Sequence, residues 1–223
     1  MAFATRVPGY SGGPATELHR VPFNGSVGII LPGMNELILG GARSGKSTLA
    51  EKRAAESGLK VTYIATAHAG DAEMAARIAH HRARRPAHWK TVECALTLAE
   101  TLQQEADHQR CLLIDCLTLW LSNLLFAGRA AAQAEAGERI DCALLAAETE
   151  ALLATLPTLP GCVILVSNEI GWGVVPANPL ARLFADEQGR LNQRLATVCE
   201  EVTLVAAGLP LTLKKAPDWA VSP

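Results

Sequence analysis

The sequence predicts an α/β fold, a mostly parallel sheet with helices on both faces, and three observations carry that reading. Glu36–Ala50 runs from an apolar stretch through a glycine-rich turn to Lys-Ser and then helix-forming residues. Short apolar runs recur at Val61–Ala65, Cys111–Ile114 and Val163–Val166 with helix-like segments between them. That alternation is the signature of βαβ units. The last two runs are apolar at consecutive positions, as strands covered on both faces are, and the first is β-branched and aromatic at its start.

The turn at 40–47 is the most specific signal. Gly40, Gly45, Lys46 and Ser47, with Gly41, Ala42, Arg43 and Ser44 between them, satisfy the phosphate-binding pattern G-x-x-x-x-G-K-[ST]. In such a loop successive backbone N–H groups form an anion nest at a helix N-terminus, where the helix dipole also favours negative charge. Glycines allow close approach of backbone to phosphate and left-handed torsions. Lys46 would reach the β- and γ-phosphates and the Ser47 hydroxyl would ligate Mg²⁺. A strand before and a helix after distinguish this from a chance match in a glycine-rich turn.

Length and composition bound the remainder. The chain has 223 residues, 49% of them hydrophobic, and a formal charge of −2. A single Ala/Leu/Val-packed domain fits, and no global basic field points to nucleic acid or a membrane surface. Six scattered cysteines without a C-x-x-C pair argue for free buried thiols in a reducing cytoplasm. No apolar run reaches the roughly 18 residues of a membrane span. Residues 1–33, rich in Gly, Pro, Ser and Thr, read as a flexible N-terminal extension without a signal-peptide pattern, and Met34 could be an alternative start. The domain is expected over 34–215, with a short tail at 216–223.

The elements follow in order. Leu37–Leu39 is the first strand, Lys46–Ser57 the helix after the loop, and Gly58 its C-cap. Val61–Ala65 is the second strand. Thr66 and His68 follow it, on the side of a parallel sheet where ligands bind, although Thr66 could equally be a turn residue. A helix over 72–84, capped by Asp71, ends before Pro86. At about 100° per residue, His81 lies on its apolar face with Met74 and Ile78, while His80 is turned away beside Arg84. Two readings stand for this basic helix: an inward imidazole facing an anionic ligand, or a solvated face with one structurally bonded histidine. Leu96–Leu102 is a short helix. Cys111–Asp115 is an apolar run ending in a carboxylate, so Asp115 either holds Mg²⁺ or caps the next helix. Leu117–Phe126 is an apolar helix in which Trp120 belongs to the core. Gly128–Gly137 is a surface connection or frayed helix, and Glu138–Leu156 an amphipathic helix. Val163–Val166 is a buried strand, followed by a Gly-punctuated loop with Asn168 and Glu169 as polar candidates. Leu180–Cys199 is a long helix with Arg182, Arg190, Asn192, Gln193 and Arg194, and most of its charges are expected on a solvated face. Val202–Ala206 and Leu209–Leu213 form a terminal strand pair.

Seven segments resemble, in order, a known family: GGARSGKS (40–47), YIAT (63–66), DAEMAARIAHH (71–81), RPAHW (85–89), DCLTLWLSNLL (115–125), SNEIGWGVVP (167–176) and LARLFADEQGRLNQRL (180–195). They are similar to the bifunctional adenosylcobinamide kinase/adenosylcobinamide-phosphate guanylyltransferases of cobalamin synthesis, over residues 36 to about 215. The resemblance implies a RecA-like P-loop fold and a homotrimer. It also implies two reactions: phosphorylation of the aminopropanol hydroxyl of adenosylcobinamide by ATP or GTP, then GMP transfer from GTP to that phosphate through a histidine–GMP intermediate. The family's R-I-x-x-H segment places the guanylylated histidine at His81, with His80 as competitor. By the same resemblance Ala65, Thr66 and Ala67 form a second nucleotide-contact loop. Arg82, Ala83, Arg84, Arg85 and Glu93 contact the guanine, and Lys46 and Mg²⁺ on Ser47 and Asp115 neutralise phosphate charge. A P-loop small-molecule kinase without guanylyl transfer, or a nucleotide-switched regulator, are the competing expectations.

Overall fold

The computed structural model describes residues 33–67 and 85–215. The expected helix over 72–84, with His80, His81, Arg82, Ala83 and Arg84, lies outside the described residues, as do 1–32 and 216–223. The described elements are β1 (Asn35–Gly40), α1 (Lys46–Glu56), β2 (Lys60–Ala65), β3 (Lys90–Glu93), α2 (Leu98–Glu105), β4 (Arg110–Asp115), α3 (Leu117–Ala127), α4 (Ala130–Ala136), α5 (Ala143–Thr155), β5 (Cys162–Asn168), α6 (Pro179–Val198), β6 (Glu201–Ala206) and β7 (Leu209–Lys214).

The strands form one seven-stranded sheet in the order β3-β2-β4-β5-β1-β6-β7. All neighbours are parallel except the hairpin β6–β7. The phosphate-loop strand β1 is separated from the carboxylate-bearing β4 by β5 alone. This is the RecA-like P-loop arrangement, and it brings the carboxyl ends of β1, β5, β4 and β2 side by side.

Side-chain alternation along each strand divides the core in two. Leu37, Leu39, Leu112, Ile114, Val163 and Leu165 face α2, α3, α5 and α6, where Leu98, Leu102, Trp120, Leu121, Leu152 and Leu195 cover them. Ile38, Leu113, Ile164 and Val166 face α1 through Ala50 and Ala54. Each such leucine or isoleucine stabilises the fold by about 1.5–3 kcal/mol. Trp120 is fully buried and donates its indole N–H to the Leu96 carbonyl at 2.6 Å, as a core residue must to satisfy that group.

Some boundaries differ from the sequence reading, each for a local reason. The strand β3 was not anticipated, because Lys-Thr-Val-Glu is short and polar; it forms only as an edge partner of β2. The helix expected from Glu138 begins at Ala143, since the Asp141 carboxylate accepts the Ala143 N–H at 2.9 Å and Asp141 N–H donates to the Gln133 side chain. The alanine-rich stretch is helical as α4, ending at a left-handed Gly137, with Ala130, Ala131 and Ala134 buried. The strand β6 pairs with β7, as expected, and also runs parallel to β1.

The last turns of α1 are held to the sheet by a buried ionic cluster. Arg53 pairs with Glu36 of β1, donates to Thr203 Oγ1 at 3.3 Å, and stands 3.9 Å from Glu201. Thr203 in turn donates to Glu36 at 3.0 Å. Glu36 and Arg53 are 0% and 5% exposed, so removing either partner strands a charge in the core. Arg53→Met should therefore lose about 3–5 kcal/mol of stability by chemical denaturation, whereas Lys52→Met, which breaks only the exposed Lys52–Glu56 pair, should lose less than about 1 kcal/mol.

Candidate active site

The turn at 40–47 is shaped by glycine at two positions. Gly45 has φ of 98° and a Cβ there would stand 3.2 Å from Gly208 Cα. A Cβ on Gly40 would meet Ser44 Oγ at 2.5 Å and the Val205 carbonyl at 2.6 Å. The turn is thus packed against the β6–β7 hairpin, and Gly208 N–H donates to the Ser44 carbonyl at 2.8 Å. Glu169 N–H holds the Gly40 carbonyl at 3.1 Å, and Lys46 Nζ holds that of Gly41 at 3.1 Å. The first helical bond of α1 runs from Leu49 N–H to the Gly45 carbonyl, and the amides of Gly45, Lys46 and Ser47 ahead of it have no backbone acceptor among the described residues, which leaves them as donors for an anion. Gly41, Ala42 and Arg43 are exposed at the rim.

Lys46 is buried beneath this turn. Burial lowers its pKa, and the nearby Cys116 and Asp115 raise it in part. Its ammonium is a poorly solvated cation with a single recorded acceptor, Gly41, so an arriving polyphosphate would supply the charge it lacks. Asp115 closes β4 on the same face. It does not cap α3, whose N-cap is Cys116 without a side-chain bond. Instead Asp115 Oδ2 accepts from Tyr63 OH at 3.0 Å. Tyr63 is 2% exposed, and burial, then the Asp115 charge, push its phenol pKa up, so it stays protonated and donates. The Arg85 guanidinium stacks 3.2 Å from the Tyr63 ring centroid. Burial followed by the Asp115 charge raises the Cys116 thiol to about 11, which keeps it neutral beside the carboxylate.

Ser47 and Asp115 are the residues here that could hold a cation. A hydroxyl and a carboxylate are hard oxygen donors, and Mg²⁺ takes few protein ligands while keeping water and phosphate oxygens. Asp115 is near enough to Lys46 to shift its titration, which puts the carboxylate at the phosphate end of the loop. The donor set fits Mg²⁺.

The residues expected as a second contact loop lie across the sheet. Ala65 ends β2 opposite Glu93 of β3 in register, and Cys94 N–H donates to the Ala65 carbonyl. Thr66 is fully buried; its hydroxyl donates to the Cys116 carbonyl at 2.7 Å and accepts Cys116 N–H at 2.9 Å. Its carbonyl accepts from Asn123 of α3 at 2.8 Å. The Thr66 side chain is thus engaged in fastening the β2 loop to the start of α3, and Ala67 follows it half-buried. From β2 to β1 there are three strand spacings, about 14 Å, so the end of β2 and the phosphate loop stand that far apart along the same edge of the sheet. His80, His81, Arg82, Ala83 and Arg84 lie outside the described residues; Arg85 is the first described residue after them.

Sequence reasoning missed three participants. Tyr63 was a plain strand residue. The β6–β7 turn that backs the phosphate loop was read only as a strand pair. Gln188 and Asn192 of α6, to which the sequence reading gave no role, are buried. Gln188 Nε2 donates to Ser167 Oγ at 2.9 Å, Ser167 donates to Asn192 Oδ1 at 2.7 Å, and Asn192 Nδ2 holds the Asn168 carbonyl at 3.0 Å. No local pattern marks them, because they matter only where α6 crosses the end of β5.

Comparison with known proteins now adds to the geometry. The model of a family described as cobinamide kinase / cobinamide phosphate guanyltransferase matches residues 36–213. The chain is 59% identical over 184 residues to the bifunctional adenosylcobalamin biosynthesis protein CobP of Pseudomonas aeruginosa, covering 82% of this chain and 99% of the relative. It is 42% identical over 182 residues to CobU of Salmonella typhimurium, covering 80% and 98%, and 42% identical over 179 residues to CobU of Escherichia coli, covering 80% and 98%. Among the described residues no helix is long and apolar enough to cross a membrane.

Tyr63→Phe keeps the ring and its stacking but deletes the hydrogen bond to Asp115. A bond to a charged acceptor is worth about 1.5–3 kcal/mol, and that much stability should be lost in urea denaturation. Affinity for a non-hydrolysable nucleotide should fall in Mg²⁺ and remain at the wild-type value in a chelator, measured by calorimetry.

Proposed function

The chain belongs to the cobinamide kinase / cobinamide phosphate guanyltransferase family, and from that premise we propose that it phosphorylates adenosylcobinamide with ATP or GTP and then transfers GMP from GTP to adenosylcobinamide phosphate. The observation that carries this is the match of residues 36–213 over a sheet whose phosphate loop, Lys46 and Asp115 converge at one edge.

In the kinase reaction the substrate hydroxyl attacks the γ-phosphorus and the bond to the bridging oxygen breaks, with its electron pair staying on the nucleoside diphosphate. Amides 45–47 and Lys46 take up the charge on the β- and γ-phosphates; stabilising that charge is the largest catalytic term expected. Mg²⁺ on Ser47 and Asp115 would add further neutralisation when bound. In the second reaction an imidazole nitrogen attacks the α-phosphorus of GTP and the α–β bridge breaks. Pyrophosphate leaves from the phosphate loop while GMP stays on the histidine. The phosphate oxygen of adenosylcobinamide phosphate then attacks the same phosphorus and the N–P bond breaks, returning the imidazole.

His81 is the proposed nucleophile and His80 its competitor. The helical-wheel position supports His81. Ala65, Thr66, Ala67, Arg82, Ala83, Arg84, Arg85 and Glu93 are the proposed contacts to the nucleoside half. Of these, Ala65 ends β2, three strand spacings or about 14 Å from the strand that leads into the phosphate loop. A homotrimer and a cytoplasmic setting belong to the same proposal. Trp172, Val174 and Val175 stand exposed on the loop after β5, an apolar surface of the kind subunits cover.

Exposure to GTP should add GMP to the protein, seen by mass spectrometry as an acid-labile, base-stable adduct. The adduct should persist in His80→Ala and vanish in His81→Ala, and Lys46→Ala should abolish both it and cobinamide phosphorylation. An unmodified wild-type protein that still phosphorylates cobinamide would leave a simple kinase in place of the bifunctional enzyme.

A further inference from the structure

The carboxyl end of β5 carries a polar group that nothing so far uses. Asn168 stands in register with Gly40, the first residue of the phosphate loop. Its backbone is fully committed: its N–H donates to Thr118 Oγ1 at 2.9 Å and its carbonyl accepts from Asn192. Its side chain has no recorded hydrogen bond among the described residues, and Oδ1 is buried without a partner. Ser167, the preceding residue, faces α6, while Val166 and Ile164 face α1. Strand alternation therefore turns Asn168 toward the α1 face, which Lys46 and Asp115 also occupy. Asp115 is opposite Val166, so Asn168 stands two positions further toward the mouth of the site. An unpaired buried carbonyl is costly, and it persists where a ligand completes it.

We infer that Asn168 is a substrate-orienting residue of the kinase reaction, its carboxamide oxygen accepting the hydrogen bond of the hydroxyl that attacks the γ-phosphate. This rests on the family reading above. The amide is no base: it holds the O–H so that an oxygen lone pair points at the γ-phosphorus. The O–P bond forms as the bridge to the β-phosphate breaks, the electron pair leaves with the nucleoside diphosphate, and the hydroxyl proton is released to solvent. The guanylyl acceptor is a phosphate oxygen with no such proton, so the second reaction does not need this contact.

Asn168→Ala and the near-isosteric Asn168→Leu test it. Neither removes a side-chain bond recorded among the described residues, and Asn168→Leu removes an unpaired buried carbonyl, so both should fold, Asn168→Leu melting at or above the wild-type temperature, and both should bind a non-hydrolysable nucleotide with wild-type affinity. Kinase kcat should fall about 10- to 100-fold, the cost of a misaligned reacting group, while GMP transfer to preformed cobinamide phosphate stays at the wild-type rate. Loss of both reactions together, a raised Mg²⁺ requirement, or full kinase activity in both variants would each overturn the assignment. A wild-type enzyme that fails to phosphorylate cobinamide would instead refute the family reading, and this inference with it.

Discussion

A loop that binds phosphate through its amides must keep those amides unpaired, and this constraint organises the molecule around residues 40–47. One internal bond, Ser44 N–H to the Gly41 carbonyl at 3.2 Å, closes the turn, and the contacts that brace it from behind act on its carbonyls. Gly208 N–H takes the Ser44 carbonyl, Glu169 N–H that of Gly40, and Lys46 that of Gly41. Two of these anchors come from parts of the chain more than a hundred residues away, the turn after β6 and the end of β5. The loop is preorganised by tertiary contacts made behind it, and its donors are left to the ligand.

The same logic extends along the sheet. Six parallel strands direct their carboxyl ends to one edge, and short polar links fix the segments that emerge there. Thr66 buckles the β2 loop to Cys116, Asn123 holds both Thr66 and Ala95, and Tyr63 sets the rotamer of Asp115. At the opposite edge the Arg53–Glu36–Thr203 cluster secures the far end of α1. The helix that begins at the phosphate loop is thus restrained at both ends, which limits how far Lys46 and Ser47 can drift from Asp115. Burial is the first cause that raises the thiols of Cys116, Cys94 and Cys199, which stay neutral in this setting.

The parts of the site that were legible in the sequence share one property: their chemistry is written in contiguous residues. The glycines, lysine and serine of 40–47 must be adjacent, because one turn has to present them together. Asp115 was legible because an apolar strand has to end where its carboxylate begins. Tyr63 was not, since a tyrosine in a β-branched run looks like any core residue until β2 and β4 are paired and its hydroxyl meets Asp115. Asn192 gave no signal, because a lone amide in a long helix forms no pattern of its own, and only the crossing of α6 over β5 buries it. The short strand β3 and the delayed start of α5 were hidden by pairing and capping contacts that outweigh local propensity.

Sequence alone determined the alternation of strands and helices, the phosphate loop and the carboxylate strand, because burial periodicity and a contiguous turn are local properties of the chain. The tertiary structure decided which strands are neighbours, and hence that β5 lies between the loop and Asp115. It also decided which polar side chains are spent within the protein, like Thr66, and which have no partner among the described residues, like Asn168. Strand order depends on the packing of the whole sheet, so no stretch of sequence states it, and a hydrogen bond between residues fifty or more apart exists only once that order is set.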